Sequence, residues 1–415
     1  MNQKIFTLIR NEWRSNLWLC VEMLIVSVVL WFIVDQFNVT YRLQKRPTGF
    51  DTEHCYRIKL NQVDPKSPEF KNVESDEEYQ NQRLDLLKRL QRRPEIEAAS
   101  FSFTAHPYNF SNSGGTYTVD TLTATGYCIR RVVTPDFVRV FRYRGINGET
   151  PEQLAELLEQ GKALVSDNLM SLDYKDMQSM APLVGHSIYE NYDSLETKEI
   201  GTVIRPVLYS DRMQGQMNRS VVIPELWAYQ GNELCVRVRE NMDHGFAEKL
   251  MADAGKQLRV GNMYISGVES FDSIREKFMY SDNLQLAMML TGMGFVLINI
   301  FLGLLGTFWF RTQQRVRDLA IRKVSGATRR QVFALLIGEG LLLLSVVTPL
   351  ALLIDANLAH LELNAYYEGG FLSWDRILLC GGISYLLMAL MICFGIAIPA
   401  RRAMRVAPAE ALRDE

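Results

Sequence analysis

Apolar residues are concentrated in four long runs, one near the start of the chain and three near its end, separated by a long polar, charged block. A helix that crosses a bilayer needs about 20 consecutive apolar residues, and each run approaches or exceeds that length. The pattern therefore predicts transmembrane helices at Leu17–Val34, Leu284–Phe310, Val332–Ile354 and Ile377–Ala400.

The polar block, Asn38 to about Tyr280, has no run that could cross a bilayer and should fold in water. A strand, helix, strand order occurs near its start and again near its end. We expect residues 50–114 and 225–270 to form one α/β subdomain, with a strand-rich subdomain, residues 115–224, inserted between them. The predicted elements are Tyr56–Leu60, Asp76–Gln91 (with Tyr79, Leu84, Leu87 and Leu90 inward), Ala98–Thr104, Leu234–Val238, His244–Ala254 and Asn262–Val268.

The predicted fold is thus an α+β integral membrane protein, with a large mixed α/β domain between transmembrane helices 1 and 2. Its regions are 1–37, 38–280 and 281–415. Phe271–Asp282 is compatible with a helix and leads without Pro or Gly into the second span, which predicts a stalk. A stripe of small and amide residues on this helix favours packing against a second copy: Gly292, Asn299, Gly303 and Gly306.

A short cationic connector, residues 311–330, joins the second and third apolar runs. Apolar residues recur in it at a spacing of three and four, which predicts a helix, and Gly326 provides a stop. The apolar face would contain Val316, Leu319, Ala320, Val324 and Ala327, and a charged face Arg315, Asp318 and Arg322.

Two carboxylates lie inside apolar runs. Glu22 is about one turn inside the first run, where we expect its side chain to extend to the interface. Glu339 is deeper in the third run and should need a partner, for which Arg329 or Arg330 is a candidate; alternatively it anchors the connector helix.

Basic residues flank the N-terminus, the connector and the C-terminus, whereas the loop from Asp355 to Asp375 is acidic. The tendency of positive residues to remain inside places both termini and the connector in the cytoplasm, and the 38–280 domain outside.

The composition excludes several other classes of protein. The chain has 415 residues and a formal net charge of -2, and its basic residues lie beside apolar runs, so we expect no nucleic-acid binding. The sequence has no Cys/His metal spacing, GxxxxGK[ST], HExxH or GxSxG motif, so no catalytic residue or metal ligand is predicted. Of Cys55, Cys128 and Cys235, one pair could be oxidised if the block is extracytoplasmic.

The connector resembles the motif of MacB/FtsX-type ABC transporter permeases, the type VII or mechanotransmission class, and the end of the chain resembles their closing tail. Shorter matches to their extracytoplasmic domain lie in the central block. The matching residues are Asp318–Val324, Gly326–Thr328 and Glu339; Pro399–Ala403 and Pro408–Arg413; and Val132–Phe141, Gly148, Glu149, Ala163–Asn168 and Leu183–Gly185.

The resemblance implies a non-catalytic permease of a bacterial inner membrane that exports or extracts a drug, peptide or lipoprotein. ATP and Mg²⁺ would be bound by a separate, dimeric ABC-type ATPase. Other implied partners are a second or homologous permease, membrane lipid, and a periplasmic adaptor or substrate protein. The resemblance also assigns a role in coupling to the ATPase to the following residues: Arg315, Arg317, Asp318 (often Glu in the family), Ile321, Arg322, Lys323, Gly326 and Arg329.

Two other classes of function remain open from the sequence. A membrane-anchored receptor could transmit a signal across the membrane, for example to a cell-wall hydrolase, although a cytoplasmic output domain would be expected. A channel subunit should show polar stripes on several helices.

Overall fold

The computed structural model describes residues 13–72, 75–171, 173–174, 176–177, 179–191, 193–212, 218–231, 233–314, 321, 325–361, 363 and 373–403. Contacts between Cα atoms divide the chain into two compact units. One is Lys45–Asn283, called the sheet unit below. The other, the helical unit, contains the described residues of 1–44 and 284–415.

The described residues form the following elements in chain order. The helices are α1 Trp13–Lys45, α2 Asp76–Gln91, α3 Phe137–Val140, α4 Pro151–Glu159, α5 Phe246–Gln257, α6 Phe271–Gln314, α7 Arg329–His360 and α8 Trp374–Ala403. The strands are β1 Cys55–Gln62, β2 Ile96–Phe103, β3 Ser113–Val119, β4 Leu122–Val133, β5 Ala163–Ser166, β6 Ser187–Glu190, β7 Asp193–Ile204, β8 Ser220–Pro224, β9 Glu233–Val238 and β10 Met263–Ser270.

The helical unit contains four helices in the described residues that are long and apolar enough to cross a membrane. They are α1, α6, α7 and α8, as the apolar runs predicted. Their shared core includes Met23, Leu304, Leu344 and Met388. All four helices extend beyond the predicted runs, and the longest extensions at their C-terminal ends are those of α1, which continues to Lys45, and of α7, which continues to His360.

A ten-stranded sheet with the order β10-β1-β9-β2-β4-β3-β6-β7-β5-β8 forms the sheet unit. The first four strands in this order come from the two ends of the polar block, and the other six come from its middle. Because β8 also pairs with β4 in parallel, those six strands close on themselves as a small barrel. The two parts meet where Ser102 and Phe103 of β2 pair with Val133 and Val132 of β4. The inserted segment therefore shares one sheet with the flanking segments.

Helix α2 has the bounds that the sequence predicted. The side chain of Ser75 accepts a hydrogen bond from the backbone N–H of Glu78 and so caps its first turn. The inward face differs in part from the prediction. Leu86, Leu87 and Leu90 are buried, whereas Leu84 is only half-buried, because the helix packs on β2 and β9 with a slightly different face.

Arg83, on the same face of α2, is buried, and its guanidinium donates to the backbone carbonyls of Tyr229, at 2.6 Å, and Gly231. The charge is compatible with burial because it satisfies carbonyl groups that would otherwise lack donors. The periodicity of apolar residues in the sequence could not predict that this arginine is buried.

The other predicted elements of the block agree with the structure to within a few residues at each end. The predicted helix His244–Ala254 shows one reason for the differences. Gly245 has a left-handed φ of 69°, so α5 begins only at Phe246, and it continues to Gln257.

The sequence left open a disulfide between two of the three cysteines of the sheet unit. The structure describes all three cysteines and does not contain it. In the described part of the chain Cys55, Cys128 and Cys235 are all buried free thiols. Burial raises the pKa of Cys55 to about 12 and that of Cys128 to about 11. These thiols are consequently protonated near neutral pH and behave as small core residues.

Candidate functional site

Most of the predicted coupling residues lie outside the described part of the chain: Arg315, Arg317, Asp318, Arg322 and Lys323. The same holds for the tail motif Pro408–Arg413 and for the side chain of Arg329, whose backbone begins α7. Ile321 is described, and its side chain is 49% exposed. An exposed isoleucine in a cationic connector is available for contact with another protein.

The end of the connector is a defined turn. Gly326 has a φ of 91°, a left-handed conformation that disfavours any residue with a Cβ. Two residues later, Thr328 and Gln331 form a capping box: the Thr328 hydroxyl accepts from the Gln331 N–H, and the Gln331 side chain accepts from the Thr328 N–H. Together they stop the connector and start α7.

Glu339 pairs with a different arginine from those that the sequence proposed. Its side chain is 6% exposed, and its Oε1 lies 3.8 Å from Nη2 of Arg311, which is 14% exposed. Arg311 lies near the end of α6, so the ion pair connects the two helices that flank the connector. The sequence had proposed Arg329 or Arg330 as the partner. The side chain of Arg329 lies outside the described residues, so that proposal stays a prediction, and packing of α6 on α7 adds Arg311 as a cation beside Glu339.

A small cavity adjoins this ion pair, with a volume of about 30 Å³. That is close to the volume of one water in the liquid. Its wall is polar on the side of Arg311, Thr312 and Glu339 and apolar elsewhere. The apolar wall consists of Phe308, Leu336, Gly340 and Ile396.

Gly340, in that wall, allows close approach of α8. A Cβ at this position would lie 2.7 Å from the Ile392 side chain, which is too close without a shift. The Arg311–Glu339 pair is therefore set among α6, α7 and α8 at the end where the connector leaves the bundle.

Glu22 is also bound within the bundle. The hydroxyl of Thr307 on α6 donates a hydrogen bond of 3.0 Å to its Oε1. The expectation that Glu22 extends to the interface stays a prediction, and the contact from α6 supplies one hydrogen bond to its half-buried side chain. This contact ties α1 to α6 a little more than one turn before Arg311.

A second buried ion pair lies near the opposite ends of the spans. Asp35 of α1 and Arg376 of α8 have side chains that are 0% and 2% exposed. Arg376 donates from Nε to Oδ1 at 2.6 Å and from Nη2 to Oδ2 at 2.5 Å, a two-pronged geometry that is strong for this pair of groups. Asp355 of α7 is buried beside them, at 1% exposure. The sequence had placed Asp355 and Asp375 at the ends of an exposed acidic loop, whereas α7 continues through Asp355 to His360.

The first turns of α6 are part of the sheet unit. Phe271 is fully buried in the core that also contains Phe141, and Arg275 binds Asp211 at 2.7 Å. Glu269, the residue but one before α6, bonds to Lys277 of α6 and, through Oε2, to Arg57 and Lys59 of β1. Although burial alone would raise its pKa, these bonds lower the pKa of Glu269 to about 2. The start of α6 is therefore fixed to the sheet by apolar packing and by ion pairs.

The glycine stripe of α6 faces open space within the helical unit. A Cβ added at Gly292, Gly303 or Gly306 would meet nothing within 4 Å, and the Asn299 side chain donates to the Phe295 carbonyl of its own helix. Packing of this stripe against a second copy stays a prediction.

The C-terminal helices and the connector have a recognisable family. Residues 290–408 match the family of the FtsX-like permease C-terminal domain. This FtsX-like region contains most of α6, the connector, α7 with Glu339, and α8. No curated protein matches the chain. The matched residues include all or most of three of the four helices in the described part of the chain that are long and apolar enough to cross a membrane.

A solved structure, the extracellular domain of the noncanonic ABC-type transporter YknZ from Gram-positive bacteria, resembles part of this chain. The similarity covers 51% of this chain and 100% of that one, at 10% identity and a TM-score of 0.28. A TM-score of this size supports no inference about function.

Proposed function

We propose that this protein is the permease subunit of an ABC transporter of the MacB/FtsX type. A separate cytoplasmic ATPase would bind ATP and Mg²⁺, and this chain would convert its closure into movement of the sheet unit outside the membrane. The observation that carries the proposal is the FtsX-like region at residues 290–408. The GxxxxGK[ST] loop does not occur in the sequence, so the proposal needs a partner for ATP hydrolysis.

Helix α6 is the element that would transmit the movement. Its first turns are fixed to the sheet by Phe271 and by the ion pairs of Glu269, and its last turns pack in the helical unit through Leu304 and Phe308. An α-helix is stiff along its axis, and 44 residues at about 1.5 Å each give a rod of roughly 66 Å. A displacement at the connector would therefore be transmitted along the helix to the first turn of α6.

The ion pair of Arg311 and Glu339 would couple the connector to this rod. It links α6 and α7 on both sides of the connector, and both side chains are largely buried. A connector that docked on an ATPase and was pushed by it would thus move α6 and α7 together. The proposal also assigns docking on the ATPase to residues of the connector and the start of α7: Arg315, Arg317, Asp318, Arg322, Lys323, Gly326 and Arg329.

Charge reversal in the connector tests the proposal. Arg322→Glu with Lys323→Glu should abolish copurification of an ATPase with the tagged full-length chain, because docking on the connector is expected to need its positive charge. The matched control is Lys88→Glu with Arg92→Glu, two exposed cations at the end of α2 that change the net charge equally. Membrane insertion should be the same in both.

The outcomes separate the proposal from its rival. Loss of the ATPase in the connector variant but not in the control supports docking there. Retention in both variants would contradict it. If the wild-type chain recovers a cytoplasmic signalling protein and no Walker-type ATPase, the receptor alternative is the correct one.

A further inference from the structure

The interior of the small barrel opens into a cavity that the proposed function does not use. Because side chains alternate across a strand, residues two apart on each strand face the same side. On β3, Tyr117 therefore faces the same side as the buried Val119. On β4, Arg130 faces the same side as the buried Cys128 and Val132. Ile188 of β6 is the cross-strand partner of Val119. The further lining residues lie on or next to β6, β7 and β8: Tyr189, Glu190, Glu196, Lys198, Val221, Ile223 and Glu225, which directly follows β8.

The cavity has the build of a site for a small molecule. Its volume is about 190 Å³, or roughly six waters at about 30 Å³ each. Ile188, Val221 and Ile223 supply its aliphatic lining, called the floor below. Its charged lining, called the rim, is supplied by Arg130, Glu190, Glu196, Lys198 and Glu225. An apolar pocket with a few convergent polar groups is the usual form of a small-ligand site.

A buried hydroxyl points to a ligand in this cavity. Tyr117 is only 3% exposed, and within the described part of the chain its Oη has no hydrogen-bond partner. A tyrosine hydroxyl in a protein interior normally finds a partner. A ligand with a hydrogen-bond donor would supply one.

The charges of the rim favour a cation. The rim has two cations, Arg130 and Lys198, and three carboxylates, of Glu190, Glu196 and Glu225, which gives a formal charge of -1. Arg130 is held by Glu190 at 2.6 Å and by Ser113 at 2.9 Å.

Glu225 is one of the three carboxylates of the rim. Burial raises its pKa, Lys198 opposes that rise, and the neighbouring carboxylate of Glu196 adds to it. A cationic ligand would relieve the repulsion between these carboxylates.

We propose that the barrel cavity binds a small organic ammonium ion with a short aliphatic chain. The chain would lie on the floor of Ile188, Val221 and Ile223. The ammonium group would donate hydrogen bonds to Tyr117 Oη and to the carboxylate of Glu225. This site lies wholly in the sheet unit and does not depend on the ATPase or on the connector.

Calorimetric titration of the full-length protein in detergent micelles tests this. The probe is butylammonium chloride at pH 8, and butanol and sodium butanoate provide ligands of the same chain length without the positive charge. Butylammonium should bind at least tenfold more tightly than either. Glu225→Gln and Tyr117→Phe should each weaken its binding, the former at least tenfold. Binding to the wild type should weaken as the pH is lowered, because protonation of the rim carboxylates removes the negative charge that attracts the ligand.

Glu199→Gln is the matched control. Glu199 is the next residue after Lys198 on β7, faces the other side, and pairs with Lys162 at 2.7 Å. This variant should bind butylammonium as the wild type does. The proposal is overturned if butylammonium gives no binding heat beyond the micelle blank. It is equally overturned if butanol binds as tightly, or if Glu225→Gln binds no more weakly than Glu199→Gln. Loss of the ATPase partner would not affect any of these measurements.

Discussion

Removal of one partner from the Asp35–Arg376 ion pair should strongly destabilise the helical unit. The loss should exceed that from removing the more exposed Arg42–Asp375 pair on the same two helices. Both side chains are almost fully buried and joined by two short hydrogen bonds. Asp35→Asn leaves the guanidinium buried without this counter-charge. Breaking a buried pair in this way costs about 3 to 5 kcal/mol, roughly a hundred- to a few thousand-fold in the unfolding equilibrium.

Arg376→Met should cost at least as much. It leaves the carboxylate of Asp35 buried close to that of Asp355, which is 1% exposed on α7. A buried carboxylate without this cation is costly in a medium of low polarity. Asp35→Leu combined with Arg376→Met removes both charges and should recover most of the loss, because well-packed apolar groups can replace a buried pair at little cost.

The assay is reversible unfolding of the purified protein in mixed micelles with increasing SDS, followed by the helical circular dichroism signal. Arg42→Met is the control on the same two helices. Its pair with Asp375 is 2.8 Å long but the two side chains are 29% and 61% exposed, so its loss should change stability little. The reasoning is refuted if Asp35→Asn costs no more than Arg42→Met, or if the double variant is less stable than Arg376→Met alone.

Three further predictions follow from the structure. Gly326→Val places a β-branched residue at a φ of 91° and should cost about 1 to 2 kcal/mol in the same unfolding assay, whereas Gly255→Ala, in open space on α5, should be neutral or stabilising. Glu339→Gln should destabilise by about 1 to 3 kcal/mol, and adding Arg311→Gln should restore part of this; a strictly additive double variant would argue against the pair. The pKa of Glu269 is near 2 in the folded protein, below its usual value of 4.5, so its stabilisation is present above pH 4.5 and lost as the pH falls towards 2. Glu269→Gln should remove about 3 kcal/mol of that pH dependence in thermal unfolding, and an unchanged profile would contradict it.

The sequence by itself determined which segments form helices and strands. Local periodicity is enough for this, because the side-chain pattern of each element repeats within a few residues. It gave α2 from Asp76 to Gln91, and it located the four apolar helices. The turn at Gly326 was also readable, since glycine is the residue that tolerates a left-handed φ without a steric cost.

Only the tertiary structure decided which distant residues meet. Asp35 and Arg376 are 341 residues apart in the chain, and Glu339 of α7 lies 3.8 Å from Arg311 of α6. The barrel closes only because β8 returns to β4, which brings Glu225 close to Tyr117. Burial of charge depends on the partner that packing provides, and a partner from another element leaves no periodic trace in the sequence around either residue.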